Sequence, residues 1–193
     1  MPVITDNDIV NASDAVCTGG NIFSYGDWQD DIAAVVANAG GTNVVNTVEF
    51  SGDDITGTVF GCASDIQVKT ATMRCDNGTP GNTADDVLTP IGTYTLTVYP
   101  PVMMPDVTTV GCVVTVTGAC SGDMVTLLSP DVDGVISAPG NVVTFTVDPG
   151  QPVGGISYSI TSGVSGSTCA AFTGATVTPA CSALCAEAPL PEP

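Results

Sequence analysis

Hydrophobic and polar residues alternate most clearly from Gly92 to Pro100, where threonines separate Tyr94, Leu96 and Val98. The pattern returns from Asn141 to Pro149, with Val143, Phe145 and Val147 in the equivalent places 49 residues later. A period of two among β-branched residues marks a strand with one buried and one wet face. Pro90 and Pro100 bracket the first copy, Pro139 and Pro149 the second, and proline cannot continue a ladder. Further strands are predicted from Val44 to Phe50, Thr56 to Cys62 and Ile66 to Met73 in the first half. In the second half they are predicted at Cys112 to Thr117, Met124 to Leu128, Ile156 to Thr161 and Phe172 to Thr178. Glycine and proline punctuate them about every ten residues, the spacing of a sandwich or barrel.

One segment reads as a helix, from Asp27 to Gly41. Asp27 is the expected cap, Asp30 and Asp31 fall in its first turn, and Gly40-Gly41 end it. Ile32, Val35 and Val36 then share a face. Residues 1–16 read as an extended N-terminal arm, with a short strand at Val3 to Thr5. Residues 17–102 and 106–180 read as two β-sandwich domains, joined near the stiff Pro100-Pro101-Val102-Met103-Met104-Pro105. Residues 181–193 form an extended, proline-rich tail. The expected fold is therefore all-β: antiparallel β-sandwich in two units, with one short helix.

The stretch Pro90-Ile91-Gly92-Thr93-Tyr94-Thr95-Leu96-Thr97-Val98 resembles the late strand of immunoglobulin-like and PKD-like repeats of bacterial and archaeal surface proteins. Such repeats commonly read PGTYTVTV there. The resemblance implies an immunoglobulin-like sandwich used for spacing, adhesion or assembly, and it carries no functional residues with it.

Charge narrows the partners. Twenty acids face only Lys69 and Arg74, a formal net charge of -18, so no ion-pair network is expected. Nucleic acid needs a basic footprint, and anionic membrane surfaces need the same. Both are excluded as partners, and no apolar run is long enough for membrane insertion. Self-association into a homo-oligomer or polymer must overcome like-charge repulsion through cations, salt or apolar contact.

Catalytic chemistry has little to work with. There is no histidine, so serine or cysteine triads cannot assemble. Glu49 is the one glutamate outside the tail, and the seventeen aspartates sit mainly in turns. The chain is read as non-enzymatic, without a cofactor. Calcium is the ion such loops could hold. Its candidate ligands are Asp131 and Asp133, in Asp131-Val132-Asp133-Gly134, and the adjacent Asp53 and Asp54. Trp28 is the only tryptophan a glycan platform could use, while Tyr94, Phe145 and Tyr158 fall on core parities.

Eight cysteines without a CxxC pair or a histidine point to disulfides rather than zinc. Disulfides place the chain outside the cytoplasm, extracellular or at a cell surface. Cys62 with Cys75, Cys112 with Cys120, and Cys169 with Cys181 are the preferred local pairs, leaving Cys17 with Cys185. The first thirty residues show neither a basic nor an apolar signal region. The chain is then either processed or released by lysis, as a virion component is. Asn11-Ala12-Ser13 and Asn77-Gly78-Thr79 match the glycan acceptor pattern, short enough to be read here as chance.

These features point to a structural subunit of an extracellular filament, pilus-like fibre or surface layer. Val3, Ile4, Ile9 and Val10 of the arm are the segment expected to add a strand to a neighbour's sheet. The alternatives are a virion surface or decoration protein, and an adhesin or glycan-binding module.

Overall fold

The structure is a computed structural model that describes residues 9–39, 46–76, 79, 81–128, 136–147, 155–174 and 176–179. It is mostly strand with a single helix among the described residues. The chain divides into two compact units, Met1–Pro100 and Pro101–Pro193.

The first unit holds β1 (Val10–Cys17), α1 (Phe23–Asn38), β2 (Asn46–Gly52), β3 (Asp65–Cys75) and β4 (Val87–Tyr99). Its sheet runs β1-β4-β3-β2, with β1 parallel to β4 and the other pairs antiparallel. Tyr94, Leu96 and Val98 point to one face of β4 and are fully buried, as the alternation requires. The layer that covers them is α1, not a second sheet. Trp28 and Ile32 are buried against Ala71, Met73, Ile91, Tyr94, Leu96 and Val98, with Val35 and Val36 packed beside them. Tyr25 stacks on Trp28 at 5.8 Å between ring centroids, and Trp28 meets Tyr94 at 5.7 Å.

Gly92 lets the two layers meet. A Cβ there would collide with the carbonyl of Val10 on β1 and with the Cδ1 of Ile32 on α1. Glycine inside a strand marks such a close backbone approach. A register shift at Ala71/Thr72 leaves Ile91 opposite no partner, and both Ile91 and Gly92 are buried.

Three further sequence expectations are corrected in this unit. The residues read as an arm up to position 16 include most of β1, a full member of the sheet. The helix begins at Phe23, so Asp27 lies inside it, Ile22 precedes it without a side-chain cap, and Asp30 and Asp31 fall beyond its first turn. Its face through Ile32, Val35 and Val36 is as expected. No strand forms from Thr56 to Cys62. The amides of Thr56 and Gly57 donate instead to the side-chain oxygen of Gln67, at 2.9 and 3.3 Å, and Gly57 turns with φ +61°.

The second unit is a sandwich. β5 (Asp106–Val110), β6 (Val113–Thr117) and β9 (Val142–Thr146) form one antiparallel sheet in the order β5-β6-β9. β7 (Met124–Leu128), β8 (Ile136–Pro139), β10 (Ser157–Thr161) and β11 (Phe172–Thr173) form the other, β11-β10-β7-β8. Val114, Val116, Val143 and Phe145 belong to one core with Val125, Leu127, Tyr158 and Ile160, every second residue of each strand. The strand read from Phe172 to Thr178 shortens to β11 and an isolated bridge between Ile156 and Val177. Strands β5 and β8 were not expected from the sequence.

Asp123 ties one end of this sandwich. It is 3% exposed, and its carboxylate accepts from Cys120 N (3.1 Å) and Gly163 N (3.0 Å). Its own amide donates to Cys120 O at 2.9 Å, and its carbonyl accepts from Gly140 N at 3.1 Å. A buried carboxylate is tolerated because its oxygens are met by these donors.

Candidate functional site

A surface of aligned polar groups lies at the outer edge of the first sheet, and strand alternation builds it. Along β1, Asn11, Ser13 and Ala15 are exposed, while Val10, Ala12, Asp14 and Val16 are half-buried on the helix side. Val10, Ala12 and Val16 pack on the core under α1. Asp14 stands among them and is satisfied by a chain of hydroxyls. Ser24 Oγ donates to Asp14 Oδ2 at 2.9 Å, and it lies 2.9 Å from Tyr94 Oη. A serine has one hydroxyl proton, so Tyr94 must donate to Ser24. Burial raises the Tyr94 phenol above its usual pKa and so keeps that proton in place. Trp28 Nε1 also donates to Val10 O at 2.9 Å, which joins α1 to β1 again.

On the opposite face the register aligns small polar side chains in rows. Asn11, Thr93, Thr70 and Ser51 lie side by side across all four strands, and Ser13, Thr95 and Val68 form the next row. Adjacent members sit roughly 4.8 Å apart across the strands. Thr93 N donates to Asn11 Oδ1 at 3.0 Å. An open depression of about 300 Å³ lies here, lined by Asn11, Ala12, Ser13, Thr93 and Thr95.

The C-terminal end of β1 is sewn to the segment after β2. Thr18 Oγ1 donates to Tyr99 O at 3.1 Å and accepts from Val59 N at 3.3 Å, and Gly19 N donates to Gly57 O at 3.1 Å. Cys17 and Cys62 flank these contacts in sequence, and both are disulfide-bonded.

The cysteines correct the sequence-based pairing. Cys17, Cys62, Cys112, Cys120 and Cys169 are disulfide-bonded, and Cys75 is a buried free thiol whose pKa burial raises. Cys62 and Cys75 therefore do not pair; the 11-residue β3 separates them. Cys112 and Cys120 do not pair either, because β6 lies between them. The ladder runs from Cys112 to Gly118, about 20 Å at ~3.3 Å per residue. The residues onward to Cys120 can recover only about 8 Å, and a disulfide joins Cα atoms no more than about 7 Å apart. Cys181 and Cys185 lie outside the described residues, as do Val3, Ile4, Asp131 and Asp133.

Of the arm residues, Ile9 is exposed and Val10 is committed to β1 within its own sheet, so Val10 is not free to be donated. Of the calcium candidates, Asp53 and Asp54 are turned to other tasks. Asp53 Oδ2 accepts from Val68 N at 2.9 Å, and Lys69 Nζ reaches Asp53 O at 2.8 Å and Asp54 Oδ1 at 3.5 Å. An ammonium between these oxygens opposes a cation there. No group of three metal-ligating side chains occurs among the described residues.

Arg74 binds both Glu49 (2.7 Å) and Asp86 (3.1 Å), a small network the charge count alone did not suggest. The Arg74 hydrogen bond holds the Glu49 carboxyl below its usual pKa. Trp28, the nominated glycan platform, is 1% exposed and cannot stack on a sugar. Tyr94, Phe145 and Tyr158 are core residues, as their parity predicts.

Set beside known protein families, curated proteins and solved structures, the chain matches none. Its function has to be argued from its own geometry.

Proposed function

We propose that the protein is a non-enzymatic structural subunit of an extracellular assembly, such as a filament, pilus-like fibre or surface layer. The observation that carries this reading is the set of five disulfide-bonded cysteines at strand ends and loops of both units. Such cross-links persist in oxidising surroundings and stabilise a fold against unfolding there. No helix among the described residues is long and apolar enough to cross a membrane, which fits a subunit that stands outside one.

Strand addition is the proposed mode of joining. Among the described residues β1 has one neighbour, β4, so its other edge offers main-chain donors and acceptors to a strand from another copy. Because Val10 is already paired, the neighbour supplies a segment that leaves its own β1 in place. Main-chain bonding carries the affinity, which suits a chain whose negative charge discourages close side-chain contact.

The test is particle size across a concentration series, by light scattering and electron microscopy, with and without reductant and calcium chelator. Assembly that grows with concentration and is lost on replacing Ser13 by proline, at the β1 edge, supports the proposal. A monomer at every concentration, salt and calcium level rejects it.

A further inference from the structure

Asn11-Ala12-Ser13 matches the Asn-x-Ser acceptor sequence for N-linked glycans. The motif by itself is too common to carry weight; its placement is what matters. Residues two apart on a strand share a face, so Asn11 and Ser13 stand together, both exposed, at the edge of the sheet. The Asn11 amide is also oriented. Its Oδ1 accepts from Thr93 N, and only the oxygen of an amide can accept. Nδ2, the atom that would carry a sugar, is thereby left without a protein partner among the described residues. Beside it lies the open depression of about 300 Å³, where Ser13 and Thr93 and Thr95 offer hydroxyls to a sugar's own.

We propose that Asn11 is an N-glycosylation site whose first sugar residues lie in that depression. The co-substrate is an oligosaccharide carried on a lipid pyrophosphate. Nδ2 forms a bond to the anomeric carbon, the bond from that carbon to the pyrophosphate oxygen breaks, and the lipid pyrophosphate leaves with the electron pair. One Nδ2 proton passes to a base of the transferase, and nothing is oxidised or reduced. The inference stands apart from the assembly reading. The two share the β1 edge and the compartment, since disulfides and glycan transfer both belong outside the cytoplasm, but they are read out separately, by the Asn11 peptide and by particle size.

The experiment is secretion of the full chain from a eukaryotic cell line behind a host leader, followed by peptide mapping. Glycosidase treatment in heavy-oxygen water converts a glycosylated asparagine to labelled aspartate. The expected result is label at position 11, and loss of one glycan from the intact mass in both N11Q and S13A. S13T retains it. S13A leaves the Asn11–Thr93 hydrogen bond in place, so it answers the question even where N11Q misfolds. Asn77-Gly78-Thr79 offers an internal comparison in the same chain. Secreted, disulfide-bonded protein whose Asn11 peptide carries no label overturns the proposal, whatever the state of Asn77.

Discussion

The two units solve one problem in different ways. Each has strands with an apolar face that must be covered. The second unit covers one sheet with another, so its buried residues alternate on both layers, as in Val114 and Val116 against Leu127 and Ile160. The first covers its sheet with a helix and leaves the opposite face to Asn11, Ser13, Thr93, Thr95 and Thr70. Both basic residues of the chain, Lys69 and Arg74, also lie in the first unit and are held in ion pairs there. The comparison teaches that similar threonine-valine strands do not determine their second layer. What sits on them does.

The largest expected effects come from emptying each core in turn. Phe145→Ala in the sandwich should cost about 3–5 kcal/mol and Ile32→Ala under the helix about 2–5 kcal/mol, because both leave cavities. Trp28 is the sole tryptophan and lies in the first unit, so its fluorescence follows the Ile32 variant, while far-ultraviolet dichroism follows the Phe145 variant. An unchanged denaturation midpoint for Ile32→Ala would remove the helix from the first core.

Next is Gly92→Ala, which pushes a methyl group into the Val10 carbonyl and Ile32. Overpacking of this kind costs about 1–3 kcal/mol. A variant as stable as the parent would mean that β1 and α1 do not approach β4 as described.

A smaller effect is expected at high pH. Burial raises the phenol of Tyr94 in the first unit and of Tyr158 in the second. In both, the fold prefers the neutral form. The stability they contribute is fully present below the unfolded value of about 10 and is lost as pH rises through the higher folded value. Tyr94→Phe should lessen the alkaline loss of stability measured by urea unfolding between neutral and strongly alkaline pH. It also leaves Ser24 without its phenol donor, which lowers stability at neutral pH.

How much of this was legible in the sequence follows from the same contrast. Where alternation runs without interruption, as in Tyr94, Leu96 and Val98 or Val143 and Phe145, the sequence identifies strand and core together. It missed β1 because Asp14 occupies an inward position that only Ser24 and Tyr94 make tolerable. It placed a strand over Thr56 to Cys62 because Val59 and Phe60 favour one, while the Gln67 side chain that captures the backbone there is distant in sequence. Two of the expected cysteine pairs, Cys62 with Cys75 and Cys112 with Cys120, failed for a geometric reason. Nearness in sequence is not nearness in space here, because β3 and β6 hold these partners apart. The Asn11 motif was visible as letters, but its exposure and the Thr93 hydrogen bond depend on the register of β1 with β4.

The most direct test of the disulfide-pinned account is differential alkylation of the native protein, read by mass spectrometry of its peptides. Cys75 should stay unmodified in the folded state and react once the chain is unfolded without reductant. Cys17, Cys62, Cys112, Cys120 and Cys169 should react only after reduction. Alkylation of those five cysteines in unreduced protein would contradict the account.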